Sequence, residues 1–288
     1  VPKGTGLNDD LNGVERAVTF PVKDMGDSPM EIVHSLAKWK RVKVTDLNRP
    51  AGFGIYTDMN AIRSDEELDN THSLYVDQWD WELSVKDEDR TIYLLRDVVK
   101  RIYRCMKRTE FFIYDRYDCI KPILPDEITF IFAEDLQKSY PGLTSKEREN
   151  LVAEKYGAVF IIGIGAPLAD GRPHDGRAPD YDDWQLNGDL FFWDEVLGRA
   201  LEISSMGIRV DAESLDRQLT LADCNHRREL PFHKMLLNNE LPLTIGGGIG
   251  QSRLCMLMMG CCHIGEVQSS IWDMDTKRKC KEAGITLL

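Results

Sequence analysis

Residues 244–259 read TIGGGIGQSRLCMLMM: a short β-branched start, a glycine cluster, then an arginine at the head of an apolar run. Glycines ahead of a helix usually cradle phosphate, because bare backbone approaches the anion and the helix N-terminus donates free N–H groups. Neither common phosphate motif fits. A Walker loop needs Gly-Lys-Ser/Thr, whereas Gly250, Gln251, Ser252 and Arg253 follow here, and a dinucleotide fingerprint needs a third glycine where Arg253 stands. The stretch predicts a strand, a turn and a helix, and any nucleotide site built on it is of another kind.

The flanking segments show what such a strand would pair with. From Gly54 the sequence runs GIYTDMNAIR, a polar turn SDEELDNT, then HSLYVDQWDWEL, which predicts an antiparallel hairpin with a long loop. LNGDLFFWD (186–194) and ALEISSMGIRVD (200–211) predict two more strands, and AVFIIGI (158–164) a short buried one. Helical spacing marks 31–42, where Ile32, Leu36 and Trp39 recur, and also 87–107, 144–156, 212–220 and 229–238. The chain up to residue 30 reads as polar loop. Residues 167–183, dense in Asp, Gly, Arg and Pro, read as a surface loop. No repeat or Gly/Ser/Pro linker divides the chain, so the expectation is a single domain over 1–288 with an α+β fold: a mainly antiparallel sheet flanked by helices.

Composition narrows the function classes. A chain of 288 residues with 42% hydrophobic and 29% charged residues has the make-up of a folded globular protein. The 36 Lys+Arg against 48 Asp+Glu leave a net charge of −12, which speaks against a nucleic-acid surface, since phosphate contacts need clustered cations. The seven cysteines form no CxxC pair and suggest neither a disulfide framework nor zinc, which points to a reducing, cytoplasmic compartment. No apolar run approaches the roughly 18 residues that span a bilayer, so no membrane partner is expected.

Strand parity gathers the polar residues. In HSLYVDQWDWEL the period of two puts His72, Leu74, Val76, Gln78 and Asp80 on one side and Ser73, Tyr75, Asp77, Trp79 and Trp81 on the other. ALEISSMGIRV puts Ser205, Gly207 and Arg209 on one face, which Glu202 joins only if a bulge intervenes, and LNGDLFFWD sets Asp189 beside bulky aromatics. Charges on a sheet face covered by protein must be paired, or bind a ligand or a metal. Two readings stay open on parity: an internal salt-bridge network, or a site for something small, zwitterionic and phosphorylated.

Taken together, EIVHSLAKWKR, HSLYVDQWDWE, APDYDDW, LNGD, LEISSMGIRVD, TIGGGIGQSR and HIGEVQ resemble the signatures of the ammonia-dependent, A-type asparagine synthetases, through nearly the whole chain. That family shares the class II aminoacyl-tRNA synthetase catalytic core. Arg63 with its hairpin resembles class II motif 2, and GGGIGQSR resembles motif 3. The resemblance implies ATP-dependent synthesis of L-asparagine from L-aspartate and ammonia through a β-aspartyl adenylate, with ATP and Mg²⁺ and a homodimer. It further implies that the family's N-terminal helix and strand, with the dimer-forming motif 1, precede this chain. Between Trp184 and Leu186, where Gln185 alone stands, it implies a longer hydrophilic loop.

Residue by residue, the resemblance implies Asp9, Arg63, Gln78 and Arg253 as the catalytic set, with Arg63 bridging the β-carboxylate and the α-phosphate and Asp9 near the incoming nitrogen. Aspartate falls to Lys40, Gln78, Asp80, Asp182, Ser205 and Arg209, with Lys40 and Arg209 suited to its α-carboxylate and Asp182 a second acid for the nitrogen. ATP falls to Arg63, His72, Ser73, Val76, Asp189, Glu202, Gly248 and Arg253, and Mg²⁺ to Asp189 and Glu202. At Val76, class II synthetases generally place an aromatic. Trp39, Trp79 and Trp81 read as core, and Cys255, Cys261 and Cys262 as packing residues. Within the same fold an aspartyl or asparaginyl-tRNA synthetase would need an anticodon-binding domain and a basic surface. A silent paralogue would have no use for Arg63, Asp189, Glu202 and Arg253 together.

Overall fold

In the computed structural model, which describes residues 1–8, 11 and 15–288, the glycine stretch is a strand that passes straight into a helix. The elements are β1 (Thr19–Val22), β2 (Ser28–Glu31), α1 (Ala37–Asp46), β3 (Gly54–Ile62), β4 (Tyr75–Ser84), α2 (Ile92–Arg116), β5 (Thr129–Phe132), α3 (Ala133–Ser139) and α4 (Ser145–Tyr156). They continue with β6 (Ala158–Ile162), β7 (Asp182–Asp194), β8 (Arg199–Arg209), α5 (Ala212–Leu221), α6 (Pro231–Leu237), β9 (Thr244–Gly250), α7 (Gln251–Met259) and α8 (Met274–Glu282).

Strands β3-β4-β9-β8-β7-β6-β5 form a seven-stranded sheet in that order. Every pairing is antiparallel except β5 with β6, so the expected mainly antiparallel sheet is what the chain forms. Alternate residues of the strands face opposite ways. On the back face Phe160, Phe192, Met206, Ile208 and Ile245 pack with Leu95, Val98, Val99 and Tyr103 of α2 and Leu254 and Leu257 of α7 in the largest core cluster. Helix α2 holds its place because its apolar residues recur at helical spacing and Thr91 caps its first turn, accepting from Leu94 N at 3.4 Å. On the front face Val159, Ile161 and Phe191 pack with Val152 and Ala153 of α4, while α5 and α6 form a separate cluster with Leu215, Phe232 and Leu236.

Several sequence expectations shift. The polar stretch up to residue 30 contains the β1–β2 hairpin. The helix expected over 31–42 starts only at Ala37, because the preceding backbone is held by Asn8, whose amide donates to Ile32 O at 3.2 Å and accepts from His34 N at 3.0 Å. Its buried side is not the Ile32/Leu36/Trp39 stripe but Ala37, Lys38, Lys40, Arg41 and Val44. The surface loop over 167–183 is instead buried at Ala178, Asp180, Asp182 and Asp183, because each of these three aspartates meets a cation there. Trp79 is exposed, as are Cys255 and Cys262; all seven cysteines are free. Among the described residues no helix is long and apolar enough to cross a membrane.

Candidate active site

A cleft of about 360 Å³ lies over the front face. Gln78 and Asp80 of β4, Ser205 and Arg209 of β8, Gly248 of β9 and Asp189 of β7 line it, together with Arg63 just beyond β3 and Arg253 in the first turn of α7. Glu202 lines it too, through the bulge that parity demanded: Leu190 pairs with Ser204 but Phe191 pairs with Glu202, which leaves Ile203 as the extra residue. Leu201 and Ile203 therefore share the back-face core with Met206 and Ile208, and Glu202 turns to the front with Ser205 and Arg209.

The deep end of the cleft is an ion cluster. Arg209 donates Nε and a terminal nitrogen to the Glu82 carboxylate at 2.8–3.1 Å and its other terminal nitrogen to Asp182. Asp80 takes the Lys40 ammonium on one oxygen and accepts from Leu36 N at 3.2 Å on the other, which ties α1 to the sheet. The glycines make this possible. A Cβ at Gly246 would overlap Glu82 and Arg209, one at Gly207 would lie 2.9 Å from the Asp182 carboxyl, and one at Gly248 would lie 2.7 Å from Gln78 Oε1. The glycine run is thus the floor of a cleft, spaced for the side chains of the two flanking strands. Burial would raise the Glu82 carboxyl, but the Arg209 guanidinium and the Lys40 ammonium hold it below its ordinary value. Burial lowers the Lys40 ammonium against the pull of Asp80 and keeps the Asp182 carboxyl raised against Arg209 and Arg177.

The outer part is built for phosphate. Arg253 gives Nε to Thr71 O at 3.3 Å and NH1 to Glu202 O at 3.1 Å, and among the described residues no carboxylate pairs with it. Among the described residues, Arg63 meets only Glu66, at 3.7 Å, beyond hydrogen-bond reach. Asp77 accepts from Ser252 N at 3.2 Å and from its hydroxyl at 2.7 Å, with Gln268 bridging both, so the motif 2 hairpin is fastened to the start of α7. Asp189 meets Arg177 at 2.5 Å, and burial, with the nearby charges of Glu202 and Asp175, pushes its carboxyl up to about 7. Two acids crowded in this way suit a hard cation that takes its remaining ligands from phosphate and water.

Of the expected site residues that are described, all but Lys40 line this cleft. Lys40 is fully buried behind Asp80 and reaches the cleft only through it, because its ammonium is drawn to that carboxylate. Asp9 lies outside the described residues; Leu11 and Glu15 beside it line the cleft. Asp182 is no loop acid at the mouth but a buried strand residue bound to Arg209. His72, Ser73 and Val76 sit on the wall, with His72 Nδ1 2.9 Å from Asp69 and Ser73 bonded to Ser270 at 2.6 Å. Among the cleft and cluster residues that were missed are four charged ones. Glu82 was readable, one step beyond Asp80 on the same parity. Arg177, Asp175 and Lys146 come from irregular chain or a helix start and gave no periodic signal.

The family model for aspartate–ammonia ligase, AsnA, matches residues 1–284. The chain belongs to this family. Relatives named aspartate–ammonia ligase include that of Bacteroides thetaiotaomicron, 57% identical over 297 residues, and that of Clostridium perfringens, 58% identical over 288; each match covers 100% of this chain and 86% of the relative. Among solved structures, the fold matches asparaginyl-tRNA synthetase from Pyrococcus horikoshii complexed with asparaginyl-adenylate (TM-score 0.64, 14% identity, 88% of this chain and 59% of that one). It also matches aspartyl-tRNA synthetase from Entamoeba histolytica (TM-score 0.57, 15% identity, 80% and 49%). The matches thus span about half the length of these synthetases.

Proposed function

We propose that this cleft joins L-aspartate and ammonia in two steps. The activity is ATP-dependent ligation, giving L-asparagine, AMP and diphosphate. In the first step a β-carboxylate oxygen attacks the α-phosphorus and the bond to diphosphate breaks. In the second, ammonia attacks the β-carbonyl carbon, AMP leaves with the bonding pair, and the nitrogen gives up a proton. A carboxylate is a poor electrophile; adenylation turns its oxygen into a leaving group, and the protein must align two anions while neutralising them.

The observation that carries this reading is the contrast between satisfied and unsatisfied cations. Arg209 and Lys40 are spent on buried acids, whereas Arg63 and Arg253 line the same cleft with no carboxylate at hydrogen-bond distance among the described residues. A guanidinium forks two phosphate oxygens, so Arg253 is assigned the outer phosphates and Arg63 the α-phosphate and β-carboxylate. Gln78, Asp80, Ser205 and the deep cluster around Arg209 are assigned the amino-acid body. Asp189 and Glu202 would hold Mg²⁺, which would supply positive charge to offset that of the phosphates. Asp9 keeps the place near the incoming nitrogen that the resemblance gives it, and the same reading takes the enzyme as a cytoplasmic homodimer.

The test is AMP formation from ATP and L-aspartate, with and without ammonium, and with tRNA. Asparagine made in step with AMP only when ammonium is present supports the ligase. AMP coupled to charging of tRNA would replace it with a synthetase.

A further inference from the structure

L-Aspartate brings two carboxylates and one ammonium, yet the two cations expected to meet its α-carboxylate are committed. Lys40 lies off the cleft wall, and all three guanidinium nitrogens of Arg209 donate to Glu82 or Asp182. Arg177 borders the amino-acid end instead. One terminal nitrogen donates to Ser205 Oγ at 2.5 Å and to the Tyr181 hydroxyl at 3.3 Å, and the other to Asp189 at 2.5 Å. Its Nε is buried without a partner among the described residues, and the side chain is only 11% exposed. The loop is shaped to lay it there. Gly165 has φ +105°, and a Cβ at that position would lie 2.9 Å from Arg177 Cβ and 2.5 Å from the Trp184 indole.

We propose that Arg177 is a further carboxylate-binding residue, which forks a carboxylate of the amino-acid substrate beside Ser205. The inference rests on the ligase reading of the cleft. Ser205 belongs to the amino-acid end and Asp189 to the phosphate end, and one guanidinium touches both. Were Asp189 to serve a divalent cation, the terminal nitrogen of Arg177 that now meets it would be released, and the fork would be open to the substrate. The competing account is a staple that only fastens the 163–181 loop to β7.

Calorimetric titration of the whole chain with L-aspartate, and with L-asparagine, which keeps only the α-carboxylate, separates these accounts. Arg177→Ala should weaken L-aspartate about ten- to a hundredfold, the range for hydrogen bonds to a charged group, and change affinity for a non-hydrolysable ATP analogue by less than about twofold. Arg177→Lys keeps a cation for Asp189 but loses the fork, and should also bind L-aspartate more weakly while melting with the wild type. Equal weakening of L-asparagine assigns the α-carboxylate, and undiminished L-asparagine binding assigns the β-carboxylate. Unchanged L-aspartate affinity in both variants overturns the proposal. So does a loss of L-aspartate and nucleotide-analogue affinity together with earlier unfolding. A wild-type protein that does not bind L-aspartate breaks the ligase reading itself, whereas wild-type binding with undiminished variants breaks only the role of Arg177.

Discussion

On its back face the sheet meets α2 through Phe160, Phe192, Met206 and Ile208, and on its front face the same strands present Asp189, Ser205, Gly207 and Arg209. Both sets are buried or nearly so, but they are held differently. Back-face contacts are non-directional, and their stability follows the apolar area removed from water. Each front-face charge depends on one or two particular partners, and on glycines that leave those partners room. A volume change on the back face should therefore cost stability and little else. A charge change on the front should cost function, and stability as well wherever the charge already has a partner.

Arg209→Met tests this most severely. It leaves Glu82 and Asp182 buried without their shared cation, so unfolding in urea should show a loss of about 3–5 kcal/mol, and aspartate binding should disappear with it. Adding Glu82→Gln should restore part of the stability and none of the binding. Arg63→Ala separates function from fold: its ion-pair partner is Glu66 at 3.7 Å, with both side chains 21% exposed, so the melting temperature should hold. Aspartate-dependent AMP formation should drop roughly a hundred- to a thousandfold, as when one preorganised donor to a developing charge is removed. Leu95→Ala does the reverse. It should cost about 2–5 kcal/mol of stability and leave turnover per folded molecule unchanged. A fall in turnover there would mean that the two faces are coupled.

How far the sequence could be read follows the same division. AVFII announced β6 because all five residues are apolar and four of them are β-branched or bulky, and the 144–156 helix was marked by its helical spacing, to which the structure adds a Thr144–Glu147 capping box. β5 was missed because TFIF is four residues long and pairs in parallel with β6, a partner that a pattern of hairpins does not suggest. On the front face, parity put Gln78 and Asp80 together and foresaw the Glu202 bulge. It could not tell a solvated face from a buried one, since polar residues alternate in both. Helix α1 was misread for this reason: its buried side is cationic, with Lys38 on Asp180 and Lys40 on Asp80, and a search for apolar spacing selects the wrong face. Arg177 lay beyond reach because its position depends on a loop folding back over β7, which no local period encodes.

The finest test of the comparison changes only proton concentration and sets two buried aspartates against each other. Burial would raise both carboxyls. Around Asp180 it is outweighed by Lys38, His233 and Arg227, which hold that carboxyl well below the ordinary range. Around Asp189 the lone Arg177 is outweighed by burial together with the charges of Glu202 and Asp175, and the carboxyl is pushed up to about 7. The signs of the two contributions are therefore opposite. For Asp180 the folded value lies below the unfolded one, so its stabilisation is present above about pH 4 and is lost as pH falls further through the folded value. For Asp189 the folded chain keeps a proton that the unfolded chain releases from about pH 4 upward, so its contribution is full below that point and is lost as pH rises through about 7. Urea unfolding of the ligand-free protein and of Asp189→Asn reads this directly. The variant, which cannot titrate there, should gain on the wild type between roughly pH 4 and pH 7 and stay level above that. Parallel curves would mean that Arg177 fully satisfies Asp189, and the acid would then belong with Asp180 as a structural partner instead of a ligand waiting for a cation.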